Sequence, residues 1–280
     1  MTTKPHTILV IGGTGKTGRR VAERLTARGV GVRIGSRGAS PAFDWDDRAT
    51  WAPALAGVDA AYVAFYPDVA VPGSAKVIGD LARTAVEAGV GHLVLLSGRG
   101  EEEAQASEAA LTTAVAGTAT AWTVVRASWF MQNFSEAFMA DSVRAGVLAL
   151  PAGDMPEPFV DCDDIADVAV AALLGDAPSG EVYEVTGPRA LTFAEAAREI
   201  SEASGREVRS VTVPLDAFAA ELRGFEVPED VIALLTYLFG EVLDGRNATP
   251  TDGVRRALGR EARDFTDFAR AAASTNTWRP

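Results

Sequence analysis

Apolar residues arrive along this chain in short blocks separated by longer amphipathic stretches. "TILVI" (7–11), "GVRIGS" (31–36), "AAYVAFY" (60–66), "HLVLLSG" (92–98) and "AWTVVRAS" (121–128) are continuous, β-rich runs of strand length. Between them the spacing changes to that of helices. Val21, Ala22 and Leu25 share one face, with Gly29 placed to stop the helix. Val77, Leu81, Ala85 and Ala88 share another, and a further helix is predicted over 101–116. Strands that are apolar on both faces and alternate with helices predict a parallel sheet covered on both sides.

The texture changes after about residue 145. Residues 146–160 contain short strands and prolines, and a helix is predicted from about Asp163. "GEVYEVTG" (180–187) and "EVRSVTV" (207–213) read as strands. "LTFAEAAREISEASG" reads as a helix with a capping box, Thr192 as N-cap and Glu195 three positions on. "FEVPEDVIALLTYLFGEVL" (225–243) is apolar around much of its circumference, through Val231, Leu234, Leu235, Leu238, Phe239 and Val242, and predicts a cover for a pocket or a dimer surface. The expected organisation is a nucleotide-binding domain over 1–150 and a smaller, mainly helical substrate lobe over 151–280, with the chain crossing back to the main sheet near 181–186.

With 280 residues and 48% hydrophobic composition, the chain can bury a substantial core. Its formal charge is −12 and it has three lysines, Lys4, Lys16 and Lys76. That balance repels nucleic acid and anionic membranes. No apolar run approaches ~18 residues, and the start "MTTKPHTILVIGG" lacks a signal-peptide pattern. The single cysteine, Cys162, excludes an internal disulfide, and with two histidines it argues against zinc. A cytoplasmic protein with a small-molecule substrate, and neither nucleic acid nor membrane as partner, is expected. Monomer and homodimer both stay open.

The densest chemistry lies in "ILVIGGTGKTGRRVAERL" (8–25). Gly15-Lys16-Thr17 has the form of an ATP-type phosphate loop, but that loop needs a glycine five positions before Gly15, where Val10 stands inside the strand. Gly12, Gly15 and Gly18 instead fit a dinucleotide turn. Gly12 permits the exit from the strand, Gly15 lets a pyrophosphate approach the backbone, and Gly18 lets the helix pack on the strand. The helix N-terminus adds free N–H groups and a partial positive charge. An NAD site would close its second strand with Asp or Glu; here Ser36 and Arg37 follow that strand. A guanidinium suits a 2′-phosphate, so NADP(H) is the expected cofactor.

With those residues and the later "TVVRASWFMQNFSE" in view, the sequence resembles the NmrA-like branch of the atypical short-chain dehydrogenase/reductases, nearest to bacterial relatives of ergot-alkaloid biosynthesis reductases. Further segments carrying the resemblance are "FDWDDRATWAPALAGVDAAYV", "PFVDCDDIADVAVAAL" and "LLTYLFGEVLDGRNATPTDGVRRALGREARDFTDFAR". The resemblance implies a Rossmann-type doubly wound α/β fold that binds NADP(H), with a C-terminal lobe over the substrate. By position it implies pyrophosphate contacts from Gly12, Thr14, Gly15, Lys16, Thr17 and Gly18. Ser36 and Arg37 would take the 2′-phosphate, and Ala64, Phe65 and Tyr66 the adenine–ribose side. Ser97 and Gly98 would approach the nicotinamide ribose, and Ser128, Trp129 and Phe130 would flank the nicotinamide. Trp129, Phe130, Asn133 and Tyr237 are the residues expected at the substrate. The resemblance also implies a role in secondary metabolism.

Ordinary members of the wider superfamily carry Tyr-x-x-x-Lys as proton donor. None of Tyr62, Tyr66, Tyr183 and Tyr237 is followed by that lysine, and "EEEAQASEAALTTA", where related reductases place one, has none. Hydride addition to an iminium leaves a neutral amine, and addition to a quinone a delocalised anion, so orientation can suffice for such acceptors. Tyr66 and Tyr237 are read chiefly as packing residues. His92 and His6 lie at the wrong end of their strands for catalysis. Asp161, Asp163 and Asp164 suit helix capping, or contact with a cationic substrate, and Cys162 among these acids is a poor nucleophile. The expectation is a reductase of a planar, electron-poor small molecule, an iminium, quinone or conjugated carbonyl, with no assigned catalytic residue. A non-catalytic NADP(H) sensor with a protein partner, and a cyclase or isomerase that keeps the nucleotide as scaffold, are the alternatives.

Overall fold

A computed structural model describes residues 7–137 and 139–279. Its strands are β1 (Thr7–Ile11), β2 (Gly31–Gly35), β3 (Ala60–Val63), β4 (His92–Gly98), β5 (Ala121–Ala127), β6 (Val147–Leu150), β7 (Glu181–Val185) and β8 (Arg209–Thr212). The chain forms two compact units that interleave along the sequence. One comprises the chain through Ala127, Cys162–Val185 and Gly253–Arg260; the other comprises Ser128–Asp161, Thr186–Asp252 and the chain from Glu261 onward. The compact units therefore do not divide at residue 150.

The first unit is a six-stranded, all-parallel sheet in the order β2-β1-β3-β4-β5-β7. It is the doubly wound α/β architecture that the alternating pattern predicts. The direction of winding reverses at β1, which pairs with both β2 and β3, and a ligand crevice opens at the carboxyl ends of strands at such a point. One face is filled by Leu9, Ile11, Trp51, Leu55, Leu81, Leu93, Leu95 and Leu111. On the opposite face, helix Cys162–Leu174 packs against helix Lys16–Ala27 and against the strands. The two helices are also tied ionically: Arg24 reaches Asp163 at 2.7 Å and Asp167 at 2.6 Å. Arg260 reaches the fully buried Asp164 at 2.7 Å and Asp167 at 2.6 Å.

The second unit is built around aromatic rings: Phe134, Phe159, Phe193, Phe239, Phe265 and Trp278 are all buried in one cluster. The parallel pair β6–β8 and helices Phe193–Ser204 and Phe265–Ser274 surround it. Thr192 Oγ1 accepts from the Glu195 N–H at 3.1 Å and the Glu195 carboxylate accepts from the Thr192 N–H at 2.8 Å, the capping box expected from sequence. Thr192→Ala should lower the unfolding free energy by about 1 kcal/mol in urea denaturation, the usual worth of such a cap; an unchanged midpoint would show that the box contributes nothing here.

Residues 225–243 are not one helix. A helix ends at Gly224, Phe225 and Glu226 make the corner with Glu226 at φ 57°, and a new helix runs Glu229–Tyr237 before a π-helical turn over Leu238–Val242. Pro228 is the reason: its ring disfavours helical backbone at Val227, and its missing N–H costs nothing at a helix start. β3 also stops earlier than the apolar run suggests, at Val63.

Candidate functional site

The turn between β1 and helix Lys16–Ala27 is built from backbone. Gly12 holds φ +74°, and its N–H donates to the Gly35 carbonyl at 3.2 Å. A Cβ on Gly12 would lie 3.1 Å from that of Ala64, one on Gly13 would lie 2.9 Å from Ile34 and from the Val10 carbonyl, and one on Gly18 would lie 2.2 Å from the Gly12 carbonyl oxygen. The glycines thus let β1, the end of β3 and the helix approach more closely than side chains allow. Thr14 and Gly15 form the exposed tip. Gly15 is the helix N-cap, no side chain caps that end, and the first turn carries no acid. An uncapped helix N-terminus of twelve residues presents N–H groups and positive potential to an anion.

Thr17 points the other way. It is buried, and its Oγ1 accepts from the Tyr62 hydroxyl at 3.0 Å, so its side chain pins helix to sheet rather than facing the turn's exposed tip. Burial pushes the Tyr62 phenol far above its ordinary value, which fixes it as a neutral donor. Beyond β2, the Ser36 carbonyl accepts from the N–H groups of Ala39 at 3.1 Å and Phe43 at 3.0 Å, closing a loop from which Arg37 projects exposed. At the end of β3, Phe65 packs on Trp45 with ring centroids 4.7 Å apart, and Tyr66 is 74% exposed. Ser97 and Gly98 close β4. The Ser97 hydroxyl donates to Glu108 at 2.5 Å.

In the second unit, Trp129, Phe130, Asn133 and Tyr237 are all half-buried. Trp129 lies 4.8 Å from Phe239 and 5.8 Å, edge to face, from Phe193, so one part of the indole joins the aromatic core. Phe130 forms an isolated parallel bridge with Val160. Residues 4–269 match the family profile described as "NmrA-like family". The chain belongs to the NmrA-like family. Over 285 residues it is 35% identical to the (4-alkanoyl-5-oxo-2,5-dihydrofuran-3-yl)methyl phosphate reductase of Streptomyces griseus subsp. griseus, covering 94% of this chain and 96% of that protein. It is 31% identical to an NAD(P)H azoreductase of Xenophilus azovorans, covering 95% of this chain and 98% of that one. Among solved structures, the Citrobacter sp. triphenylmethane reductase complexed with NADP(H) superposes with a TM-score of 0.76 at 20% identity, covering 95% of this chain and 99% of that one, a likeness of fold.

In this NmrA-like chain several expected residues are already engaged. The Ser128 hydroxyl donates to Oε1 of Glu157, a carboxylate that is itself buried. Sequence reading does not single out Glu157, because "DMPEPFVD" looks like a solvated loop. Asp161 accepts from the Gln132 amide at 2.8 Å, while Asp163 is bound by Arg24 and Asp164 by Arg260. The acidic cluster at 161–164 is thus tied up by the fold's own donors. His92 pairs with Thr123 Oγ1 at 3.0 Å at the amino end of β4, and burial pushes its imidazole down. His6 lies outside the described residues. No group of three or more His, Cys, Asp or Glu able to hold a metal occurs among the described residues, and none of their helices is long and apolar enough to cross a membrane.

Proposed function

We propose that this chain reduces a planar, electron-poor small molecule, an iminium, a quinone or a conjugated carbonyl, by direct hydride transfer. The chain is an oxidoreductase, and its nucleotide is NADP(H). The observation that carries the reading is the glycine turn at Gly12–Gly18 beside an exposed Arg37 where an NAD site would carry a carboxylate. The residues present fit the group. The close-packed glycines leave the backbone bare, the uncapped helix end offers N–H groups to a pyrophosphate, and Arg37 offers a planar fork of donors to a 2′-phosphate. Lys16 and Ser36 add donors at the two phosphate positions. Bound there, the reduced nicotinamide supplies the hydride.

The chain's own work is to bind and orient. Trp129 and Phe130 give flat apolar surface for an aromatic acceptor, and Asn133 and Tyr237 are polar groups for its orientation. The named substrate of the Streptomyces relative contains a conjugated ring carbonyl, which supports that member of the acceptor class. Arg37→Ala is the test of the nucleotide assignment. Its NADPH dissociation constant should rise roughly 10–150-fold, the equivalent of about 1.5–3 kcal/mol for hydrogen bonds to a charged group, while NADH affinity changes little. Equal weakening of both nucleotides, measured by fluorescence titration, would overturn the role of Arg37.

A further inference from the structure

The loop after β4 holds an acid in an unusual position. Glu101 is the N-cap of helix Glu102–Val115, where a carboxylate ordinarily accepts from the first helical N–H groups, yet its side chain makes no such bond. It folds back over the end of β4 instead. A Cβ placed on Gly98 would lie 1.9 Å from Glu101 Oε2 and 2.2 Å from its carboxyl carbon, so any side chain at 98 would expel it. Oε2 is enclosed and has no hydrogen-bond partner among the described residues.

The groups facing it are mostly acidic. Burial, then the charges of Asp68 and Glu108, push the Glu101 carboxyl well above the ordinary carboxylate range. Asp68 is also raised by burial, opposed by the Ala70 N–H at 2.9 Å and by Lys16. Glu108 is held by Arg126 and Ser97, and Arg126 also serves Glu184, so that guanidinium is committed to other carboxylates. Arg99, on the same loop, lies 3.8 Å from Glu184. An enclosed carboxylate among other acids without a donor is costly as an anion, and tolerable as a neutral acid. Gly98 stands at the carboxyl end of a parallel strand, where ligands of such sheets bind.

We propose that Glu101 is the proton donor of this reductase and that its acceptor is a neutral conjugated carbonyl compound. The proposal rests on the reductase reading above. Hydride from the reduced nicotinamide forms a bond to the carbon β to the carbonyl, and the alkene electron pair shifts to leave an enolate. The enolate oxygen takes the proton as the Glu101 O–H bond breaks. The enol returns to the carbonyl form in water, and the Glu101 carboxylate regains a proton from solvent. In sum, acceptor, NADPH and one proton give the saturated carbonyl compound and NADP⁺. An iminium acceptor ends as a neutral amine and takes no proton, so the two acceptor types separate the role of the acid from that of the site.

The test compares the full-length protein with E101Q and E101D on two probes, cyclohexenone and a cyclic N-alkyl iminium salt, across pH. In the wild type, the enone rate should fall as pH rises through the raised ionisation of Glu101. E101Q should lose that limb and about 10²–10⁴-fold in enone rate, the usual worth of a positioned acid, with a loss at least tenfold smaller on the iminium. E101D, which keeps an acid, should retain a pH limb. Infrared spectra of the ligand-free protein supply a second readout: a protonated-carboxyl band persisting at neutral pH and missing from E101Q. Equal losses on both acceptors, or no such band, would overturn the proposal. If the wild type oxidises NADPH with neither probe nor any quinone, the reductase reading itself falls and takes the proton donor with it.

Discussion

Arg126→Met should destabilise the protein by about 3–5 kcal/mol in urea or guanidinium unfolding, the usual cost of stripping one partner from a buried ion pair. The strand register explains the size. Ser97 on β4, Arg126 on β5 and Glu184 on β7 are directly paired across neighbouring strands. Helix Glu102–Val115 adds the buried Glu108, whose two oxygens accept from Arg126 Nε at 2.9 Å and Nη2 at 2.5 Å. Arg126 Nη1 reaches Glu184 at 3.2 Å. These carboxylates, Glu108 first, hold the guanidinium still further above its ordinary value, so it is charged at every accessible pH. Methionine would leave Glu108 enclosed with the Ser97 hydroxyl but without the guanidinium that balances its charge. The double variant Arg126→Met/Glu108→Leu should recover much of the loss, because it removes the enclosed charge and leaves only the half-buried Glu184 without this guanidinium. If the double variant is as unstable as the sum of the singles, the cost lies in packing rather than in the pair.

Phe193→Ala should lower the unfolding free energy by a similar 3–5 kcal/mol. Phe193 is fully buried, with ring centroids 5.1 Å from Phe159, 5.8 Å from Trp129, and 5.9 Å from both Phe134 and Phe239. Four aromatic neighbours cannot all collapse into the space left by one ring, so a cavity term adds to the lost transfer energy. Denaturation followed by tryptophan emission is the direct measurement, since Trp129 borders the cavity. A loss below 1 kcal/mol would mean that the cluster repacks around the gap.

The sheet was almost wholly legible in the sequence, and the reason is local. "TILVI" and "HLVLLSG" are observed as strands residue for residue, because continuous β-branched and apolar runs ended by glycine leave the backbone few alternatives. The glycine turn was equally plain, apart from Gly13, whose need for a bare Cα depends on Ile34 of the neighbouring strand. What sequence could not show depends on distant partners. Arg126 reads as a lone charge in a strand until Glu108 and Glu184 are placed beside it. Glu101 begins "EEEAQ", which looks like the solvated start of a helix, and only the backbone path turns its carboxyl inward over Gly98. The break at Phe225–Pro228 has its signal in Pro228, which punctuates the helical stretch in the sequence and stands at the start of the new helix in the structure. The interleaving of the two units was hidden: helix Cys162–Leu174 is apolar nearly all round, which marks burial without saying in which unit.

That interleaving has a consequence for synthesis. The helix Gly253–Leu258 belongs to the sheet-bearing unit, where a Cβ on Gly253 would strike the Glu184 backbone at 2.1 Å and Arg260 neutralises the buried Asp164. On the ribosome, β7 emerges 75 residues before Arg260, the difference between positions 185 and 260. At ordinary elongation rates that is roughly 4–15 s. Throughout that wait the nascent chain lacks Arg260 for Asp164 and the helix that packs on the edge strand, so the sheet-bearing unit is completed only after residues 186–252 of the second unit have been synthesised.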